Sequence, residues 1–177
     1  FLVLGAIIFP ILFLFSGLLL ASFGAFDTSE SPMPTFQILE NPPTNLATEI
    51  ISDDGEVLGT YFLENRREVR YGEIAPNTID ALIATEDERF FKHSGIDYKS
   101  TMRAIFFLGS RGGASTITQQ LAKMLFSKKP QSKIERVTQK FREWIIAIRL
   151  EKRYTKEEII TMYLNRFGFL NHAVGIN

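Results

Sequence analysis

The chain opens with an uninterrupted apolar run. No charged residue occurs between Phe1 and Phe26. As a helix this run would span about 39 Å, more than the roughly 30 Å of a bilayer's hydrocarbon core. The pattern therefore predicts a transmembrane anchor over residues 1–26. A cleavable signal peptide is the alternative, because the small residues at 21–25 could form a cleavage site, but the run is longer than a typical signal-peptide core.

Two polar segments follow the apolar run. Residues 27–45 hold four of the seven prolines, which predicts a linker. Residues 46–73 carry apolar, β-prone stretches on both sides of Asp53-Asp54-Gly55, a sequence that favours a hairpin turn. We expect a small β-hairpin module here, with no chemistry of its own.

From residue 74 onward, apolar residues recur at helical spacing. Asn77 is the expected N-cap of the first helix, and Thr155 to Glu158 form a capping box before the last. The predicted helices cover residues 76–91, 99–108, 120–126, 133–153 and 159–164. The fold class is therefore mainly α, and we expect the domain over residues 74–177 to continue past Asn177.

Two glutamates fall on apolar helix faces. Glu86 lies within the stripe of the first helix, and Glu143 lies in the part of the long helix that is apolar nearly all round. An ionised carboxylate is costly to bury, so each has a partner or a chemical role. For Glu86 the alternative is that the stripe is open to solvent and ends there. For Glu143 the alternative is a structural pair with Lys140, three residues earlier.

The charges are distributed unevenly, although the net charge is zero. Residues 27–97 contain fifteen acidic residues, whereas residues 123–156 contain eleven basic and three acidic ones. This indicates an anionic partner such as a phosphate, a lipid head group or a nucleic acid; an ordinary solvated helix face is the alternative. Cysteine is absent and the two histidines lie far apart in sequence, which excludes disulfides and disfavours a zinc site.

Together these features indicate sugar chemistry at a diphosphate. In glycosyl transfer, one carboxylate can act as the base on an incoming hydroxyl, while the other stabilises charge at another point of the reacting groups. Lysines and arginines would neutralise a diphosphate leaving group. The Gly-Gly-Ala-Ser-Thr loop at 112–116 is not a P-loop, because it lacks the Gly-Lys-Ser/Thr ending.

Four segments resemble, in order, the motifs of the peptidoglycan glycosyltransferases of family 51, the glycan-polymerising module of class A penicillin-binding proteins. They are Glu86-Asp87 with Phe90, His93 and Gly95; Gly113–Gln120; Lys140 and Glu143 with Ala147–Glu151; and Lys156–Ile160 with Tyr163–Asn165. The resemblance covers most of residues 45–177.

The resemblance implies a mainly helical, lysozyme-like domain on the outer, periplasmic side of the cytoplasmic membrane, held by a single transmembrane helix. It implies that the 4-hydroxyl of lipid II attacks the anomeric carbon of the growing chain, with inversion, and expels undecaprenyl diphosphate. The implied partners are lipid II, the growing glycan, membrane lipid, other wall-synthesis proteins and a transpeptidase domain in the parent chain, with no nucleic acid. A divalent cation, Mg²⁺ or Mn²⁺, is the implied candidate cofactor, with no organic cofactor.

The resemblance also implies roles for individual residues. Glu86 matches the general base, and Glu143 matches the second catalytic glutamate, which assists the donor diphosphate and is the candidate metal ligand. Lys123 and Lys140 match positions that touch the diphosphate. The remaining predicted substrate-binding residues are Asp87, Arg103, Ser115, Thr116, Gln119, Gln120 and Arg149.

The third motif departs from the family pattern at one position. The family usually has an arginine before the lysine, whereas Gln139 precedes Lys140 here. One cation is therefore missing from the expected diphosphate contacts. Arg136 and Arg142 are the candidates to replace it.

Other functions remain as alternatives. A lytic enzyme on the same fold would need one protonated acid and no diphosphate pocket, which the basic segment argues against. A membrane-anchored, non-catalytic scaffold of a wall-synthesis complex is a second alternative, which the two glutamates argue against. A β-lactam-binding transpeptidase is excluded for this stretch, because no serine is followed by lysine three positions later. A nucleic-acid binder fits the apolar run and the glutamate-bearing helices poorly.

Overall fold

The computed structural model describes residues 12–13, 15–25, 33–40, 48–61, 68–107, 113–128 and 130–167. Its α-helices are α1 (Phe36–Glu40), α2 (Pro76–Glu86), α3 (Tyr98–Phe106), α4 (Ile117–Phe126), α5 (Lys133–Arg153) and α6 (Lys156–Arg166). Short 3₁₀ helices cover Tyr71–Glu73 and Phe90–Lys92. The chain is also helical at 12–13 and 15–22. The prediction of a mainly α fold is confirmed, and the described part fits a lysozyme-like domain.

Two short strands precede the helices. β1 (Thr48–Ile51) pairs antiparallel with β2 (Val57–Tyr61), with Thr48 opposite Tyr61. Gly55, in the turn between them, has φ of +86°, a backbone conformation that glycine adopts without steric cost.

The predicted membrane anchor lies only partly within the described residues. Within the ranges that the structure describes, no helix has the length and apolar character needed to cross a membrane. The described helical segment at 15–22 packs against α5, where Ala21 is buried with Phe141 and Trp144. Gly17 permits this approach, because a Cβ there would come within 2.2 Å of the Phe141 ring.

The main hydrophobic core lies between α4, α5 and α6. Its buried members on these helices are Ile117, Leu121, Ala122, Ile146, Leu150, Ile159, Ile160, Tyr163 and Leu164. α5 has the bounds predicted from the sequence, and its N-cap, Ser132, accepts a hydrogen bond from the backbone N–H of Glu135. The predicted capping box at Thr155 and Glu158 begins α6 and is confirmed.

The helix that carries Glu86 differs from the prediction at both ends. Its N-cap is Ala75 with Pro76 in the first turn, not Asn77. It ends at Glu86 and not at residue 91, because Asp87 leaves the helical conformation with φ of −158°. The predicted helix is therefore divided into α2 and the 3₁₀ helix Phe90–Lys92.

Part of the predicted linker is packed onto the domain. Leu39 in α1 is 1% exposed and belongs to the main core. The hydroxyl of Tyr154 donates to the backbone oxygen of Leu39. Arg149 in α5 donates from Nη1 to the backbone oxygen of Pro34 at 3.5 Å. Leu39 and Pro34, within the predicted linker, therefore contact the helical core and α5.

Candidate active site

The loop after α2 is organised by a buried carboxylate. Asp87 places its two oxygens 3.0 and 3.1 Å from Nε2 of His93. The Oδ2 atom also accepts the backbone N–H of Ile117 at 3.1 Å, at the start of α4, where a negative charge is favourable. Asp87, predicted to bind substrate, is thus a buried link between the first and second motif segments.

The backbone oxygen of Gly95 is a second link between these segments. Thr116 donates to it from Oγ1 at 2.7 Å, and Gln119 donates from Nε2 at 3.1 Å. Thr116 is also the N-cap of α4, because its Oγ1 accepts the backbone N–H of Gln119. Both residues, predicted to bind substrate, are buried and hold the loop against α4.

The fourth motif segment also contacts this loop, through Lys156, for which no role was predicted from the sequence. Lys156 donates from Nζ to the backbone oxygen of His93 at 2.8 Å and to Oε1 of Glu151 at 2.8 Å. Its Nζ also lies 4.2 Å from the centre of the Phe90 ring. Thr118 completes the cluster by donating to Oε1 of Glu151 at 2.5 Å.

Glu86 is exposed at the end of α2. The apolar stripe is open to solvent where it ends at Glu86, as the alternative interpretation had it, and Glu86 nevertheless has a polar partner. Gln120 donates from Nε2 to Oε2 of Glu86 at 2.8 Å. Glu86 lines a cavity of about 290 Å³ together with Arg103 and Ser115.

Glu143 is buried, with 4% of its surface exposed. Gln139 donates from Nε2 to Oε1 of Glu143 at 3.0 Å, and Lys140 donates from Nζ to Oε2 at 3.2 Å. The same Nζ lies 2.8 Å from Oγ of Ser115. The pair with Lys140, the structural alternative considered for Glu143, is present, and Gln139, the residue that departs from the family pattern, donates to the other oxygen.

A larger, basic cavity of about 860 Å³ opens beside Glu143. Its ionisable lining residues are Lys123, Lys128, Arg136, Lys140 and Glu143. Of the two candidates to replace the missing cation, Arg136 lines this cavity, whereas Arg142 is buried and does not.

The two cavities adjoin. Ser115 lines both of them, and Gln120 lines the basic cavity while its amide binds Glu86. All but one of the predicted site residues line these two cavities: Glu86, Asp87, Arg103, Ser115, Thr116, Gln119, Gln120, Lys123, Lys140 and Glu143. Arg149 lines neither cavity and contacts Pro34 instead.

The residues around Glu143 do not fit a bound divalent cation. Mg²⁺ and similar hard cations need several oxygen ligands, and both oxygens of Glu143 are engaged by Gln139 and Lys140. Nor do the described residues contain a group of three or more His, Asp or Glu side chains that could hold a metal. We therefore assign no step of the chemistry to a metal ion.

Sequence reasoning gave Tyr163 no role, although it lies in the fourth motif. Its hydroxyl donates to Oε1 of Gln120 at 3.0 Å, and the residue is 1% exposed. Burial, and secondarily the charge of Glu86, raises the pKa of Tyr163 to about 12. The sequence feature that could have indicated this contact is the position of Tyr163 on the same helix face as Ile159 and Ile160, because a tyrosine on an apolar face needs a partner for its hydroxyl.

Comparison with known proteins gives a consistent answer. Residues 54–177 match the family model described as Transglycosylase. The chain is 33% identical to penicillin-binding protein 1A of Pseudomonas aeruginosa over 167 residues, 92% of the chain and 20% of the relative. It is 35% identical to penicillin-binding protein 1A of Escherichia coli K12 over 159 residues, 86% of the chain and 18% of the relative. It is 39% identical to penicillin-binding protein 1F of Bacillus subtilis over 134 residues, 73% of the chain and 18% of the relative.

The chain belongs to the transglycosylase family. This family is the peptidoglycan glycosyltransferase module of class A penicillin-binding proteins, so the resemblance carried by the four motifs is confirmed, and with it the enzyme class. The chain spans about a fifth of the length of the curated relatives it matches.

Proposed function

We propose that this chain polymerises lipid II into β-1,4-linked glycan strands, with inversion and release of undecaprenyl diphosphate, in bacterial cell-wall synthesis. The observation that carries the proposal is the arrangement around Ser115. On one side lies the exposed carboxylate of Glu86, and on the other lies a cavity lined by Lys123, Arg136 and Lys140.

In the proposed reaction, Glu86 accepts the proton of the 4-hydroxyl of lipid II. The hydroxyl oxygen forms a bond to the anomeric carbon of the growing chain from the face opposite the leaving group, which inverts that carbon. The bond from the anomeric carbon to the phosphate oxygen breaks, and its electron pair leaves on the diphosphate. Lys140 and its neighbours in the basic cavity stabilise the charge that develops there.

Glu143 has a supporting role in this scheme. Its carboxylate holds the ammonium of Lys140 at 3.2 Å, and Lys140 reaches Ser115 at the boundary between the cavities. A buried carboxylate at this place restricts where the cation can lie, so the diphosphate meets a positioned charge. The proposed setting is the outer face of the cytoplasmic membrane, with a transmembrane anchor and a transpeptidase domain in the parent protein.

The geometry favours this function over the alternatives. A lytic enzyme acts on finished glycan, which carries no diphosphate, so a cavity lined by four cations would have no ligand. A non-catalytic scaffold would not need Glu86 at a cavity with an amide donor on one oxygen.

The test compares the rate of lipid II polymerisation by the full-length wild-type protein with that of its Glu86→Gln variant. Removing a general base is expected to lower kcat by about 10²–10⁴-fold. The thermal midpoint should not change, because Glu86 is exposed. Asp80→Asn, at an exposed carboxylate earlier in α2, is the matched control and should retain wild-type activity.

Each outcome decides between the functions. A folded Glu86→Gln variant with near-normal kcat would remove Glu86 from the mechanism. A wild type that binds a diphosphate-lipid analogue but makes no polymer would favour the scaffold. Release of fragments from finished glycan would favour the lytic enzyme.

A further inference from the structure

Three side chains form a continuous hydrogen-bond chain from the core to the cavity. The hydroxyl of Tyr163 donates to Oε1 of Gln120 at 3.0 Å, and Nε2 of Gln120 donates to Oε2 of Glu86 at 2.8 Å. We propose that Tyr163 is a positioning residue for Glu86, which acts through the side-chain amide of Gln120. The inference rests on the proposed function, in which Glu86 is the general base.

The amide of Gln120 can transmit this effect because its two ends differ. Its oxygen only accepts hydrogen bonds, whereas its NH₂ group only donates them. When Tyr163 donates to the oxygen, the NH₂ group is left for Glu86. The opposite orientation would set the amide oxygen against a carboxylate oxygen, two acceptors with no proton between them. Tyr163 therefore selects the orientation that Glu86 requires.

Tyr163 is suited to this role because its hydroxyl has a definite place and keeps its proton. The residue is 1% exposed, and its ring stacks on Phe167 with centroids 5.4 Å apart. Its pKa, raised to about 12 by burial and by the charge of Glu86, leaves the hydroxyl protonated at neutral pH. The Tyr163 hydroxyl therefore remains a hydrogen-bond donor over the whole pH range in which a carboxylate can act as a base.

Glu86 needs such support because it is the last residue of α2 and is exposed. An exposed glutamate samples several rotamers, and fixing it costs conformational entropy. The amide holds Oε2, while Oε1 has no hydrogen bond to any described residue and is left to accept the proton of the substrate hydroxyl. Loss of the hydrogen-bond chain from Tyr163 to Glu86 should reduce the fraction of bound substrate that meets a correctly oriented base. It should therefore lower kcat more than it changes KM.

The first experiment is Tyr163→Phe in the full-length protein, which removes only the hydroxyl. We expect kcat for lipid II polymerisation to fall about tenfold, the effect of one net hydrogen bond, with KM within about twofold of wild type. Tyr154→Phe is the matched control, since it removes a tyrosine hydroxyl that binds the Leu39 backbone oxygen, outside both cavities. It should lower the thermal midpoint and leave kcat unchanged.

The second experiment distinguishes an effect of Tyr163 that acts through Gln120 from a general structural effect of the Tyr163→Phe substitution. In a Gln120→Met background the chain is already broken, so adding Tyr163→Phe should cause no further loss of kcat. If Tyr163→Phe fails to fold, Gln120→Met alone tests the hydrogen-bond chain, because it removes both the acceptor for Tyr163 and the donor to Glu86. It should lower kcat about tenfold and leave KM within about twofold of wild type.

Several results would overturn the inference. One is wild-type kcat in Tyr163→Phe. Another is a further tenfold loss when Tyr163→Phe is added to Gln120→Met. A third is wild-type kcat in Gln120→Met. An inactive wild type would instead overturn the proposed function, and the inference with it. An active wild type with an unaffected Tyr163→Phe variant overturns the inference alone.

Discussion

Gly95 lies directly against the backbone of Ala147: a Cβ on Gly95 would come within 2.9 Å of the carbonyl carbon of Ala147. Ala147 is one turn of α5 beyond Glu143. The contact therefore joins the loop that follows Glu86 to the part of α5 that carries Glu143. The relative positions of the two glutamates depend on this close approach.

Gly95→Ala should destabilise the domain for two separate reasons. Gly95 has φ of +88°, which costs an L-residue about 1–2 kcal/mol, and the clash with Ala147 adds about 1–3 kcal/mol. Denaturant unfolding measures the total. Gly55→Ala is the matched control, because Gly55 has φ of +86° but nothing within 4 Å of the added Cβ. Equal losses in the two variants would show that the contact with Ala147 is unimportant.

Lys140→Ala should weaken binding of a diphosphate-lipid analogue. Loss of one charge-assisted hydrogen bond corresponds to about a 10- to 100-fold rise in Kd, which calorimetry can measure. Lys133→Ala is the control, since Lys133 is exposed on the same helix and does not line the basic cavity. An unchanged Kd in Lys140→Ala would exclude Lys140 from the diphosphate site.

Leu39→Ala should destabilise the domain by about 2–5 kcal/mol, the usual cost of truncating a buried leucine. Ile38, its neighbour, is 43% exposed, and Ile38→Ala should cost about 0.5 kcal/mol or less. Chemical denaturation of the two variants measures the difference. Small and equal effects would mean that the packing of Leu39 contributes little to the stability of the domain.

Asp97 should make stability depend on pH in the acid range. Burial acts to raise the pKa of Asp97, but hydrogen bonds from Ser100 and Lys99 and the Arg89 guanidinium, 3.0 Å away, outweigh burial and hold the pKa below its usual value. Above about pH 4 the carboxylate is ionised in both states and its stabilising effect is complete; as pH falls through the lowered pKa, the effect is lost.

The stability difference between wild type and Asp97→Asn should therefore be constant near neutral pH and shrink below about pH 4. Thermal unfolding of both variants between about pH 2 and about pH 7 measures this stability difference. Asp80→Asn, at an exposed carboxylate, is the control and should show no such convergence. Parallel curves for wild type and Asp97→Asn would contradict the assignment.

The sequence by itself determined the helices that depend on local interactions. The bounds of α5 were predicted from apolar residues at helical spacing, and the start of α6 was predicted from its capping box. The pair of Lys140 and Glu143 was also predictable, because residues three apart on a helix are neighbours. Motif order was sufficient to indicate the family.

Only the tertiary structure decided the surroundings of Glu86. α2 ends there because the carboxylate of Asp87 turns inward to His93 and to the N–H of Ile117, thirty residues away along the chain. Periodicity along one helix identifies an apolar stripe, but not which part of it another element covers. The link from Tyr163 through Gln120 joins three helices, so its existence depends on how those helices pack and on no local pattern.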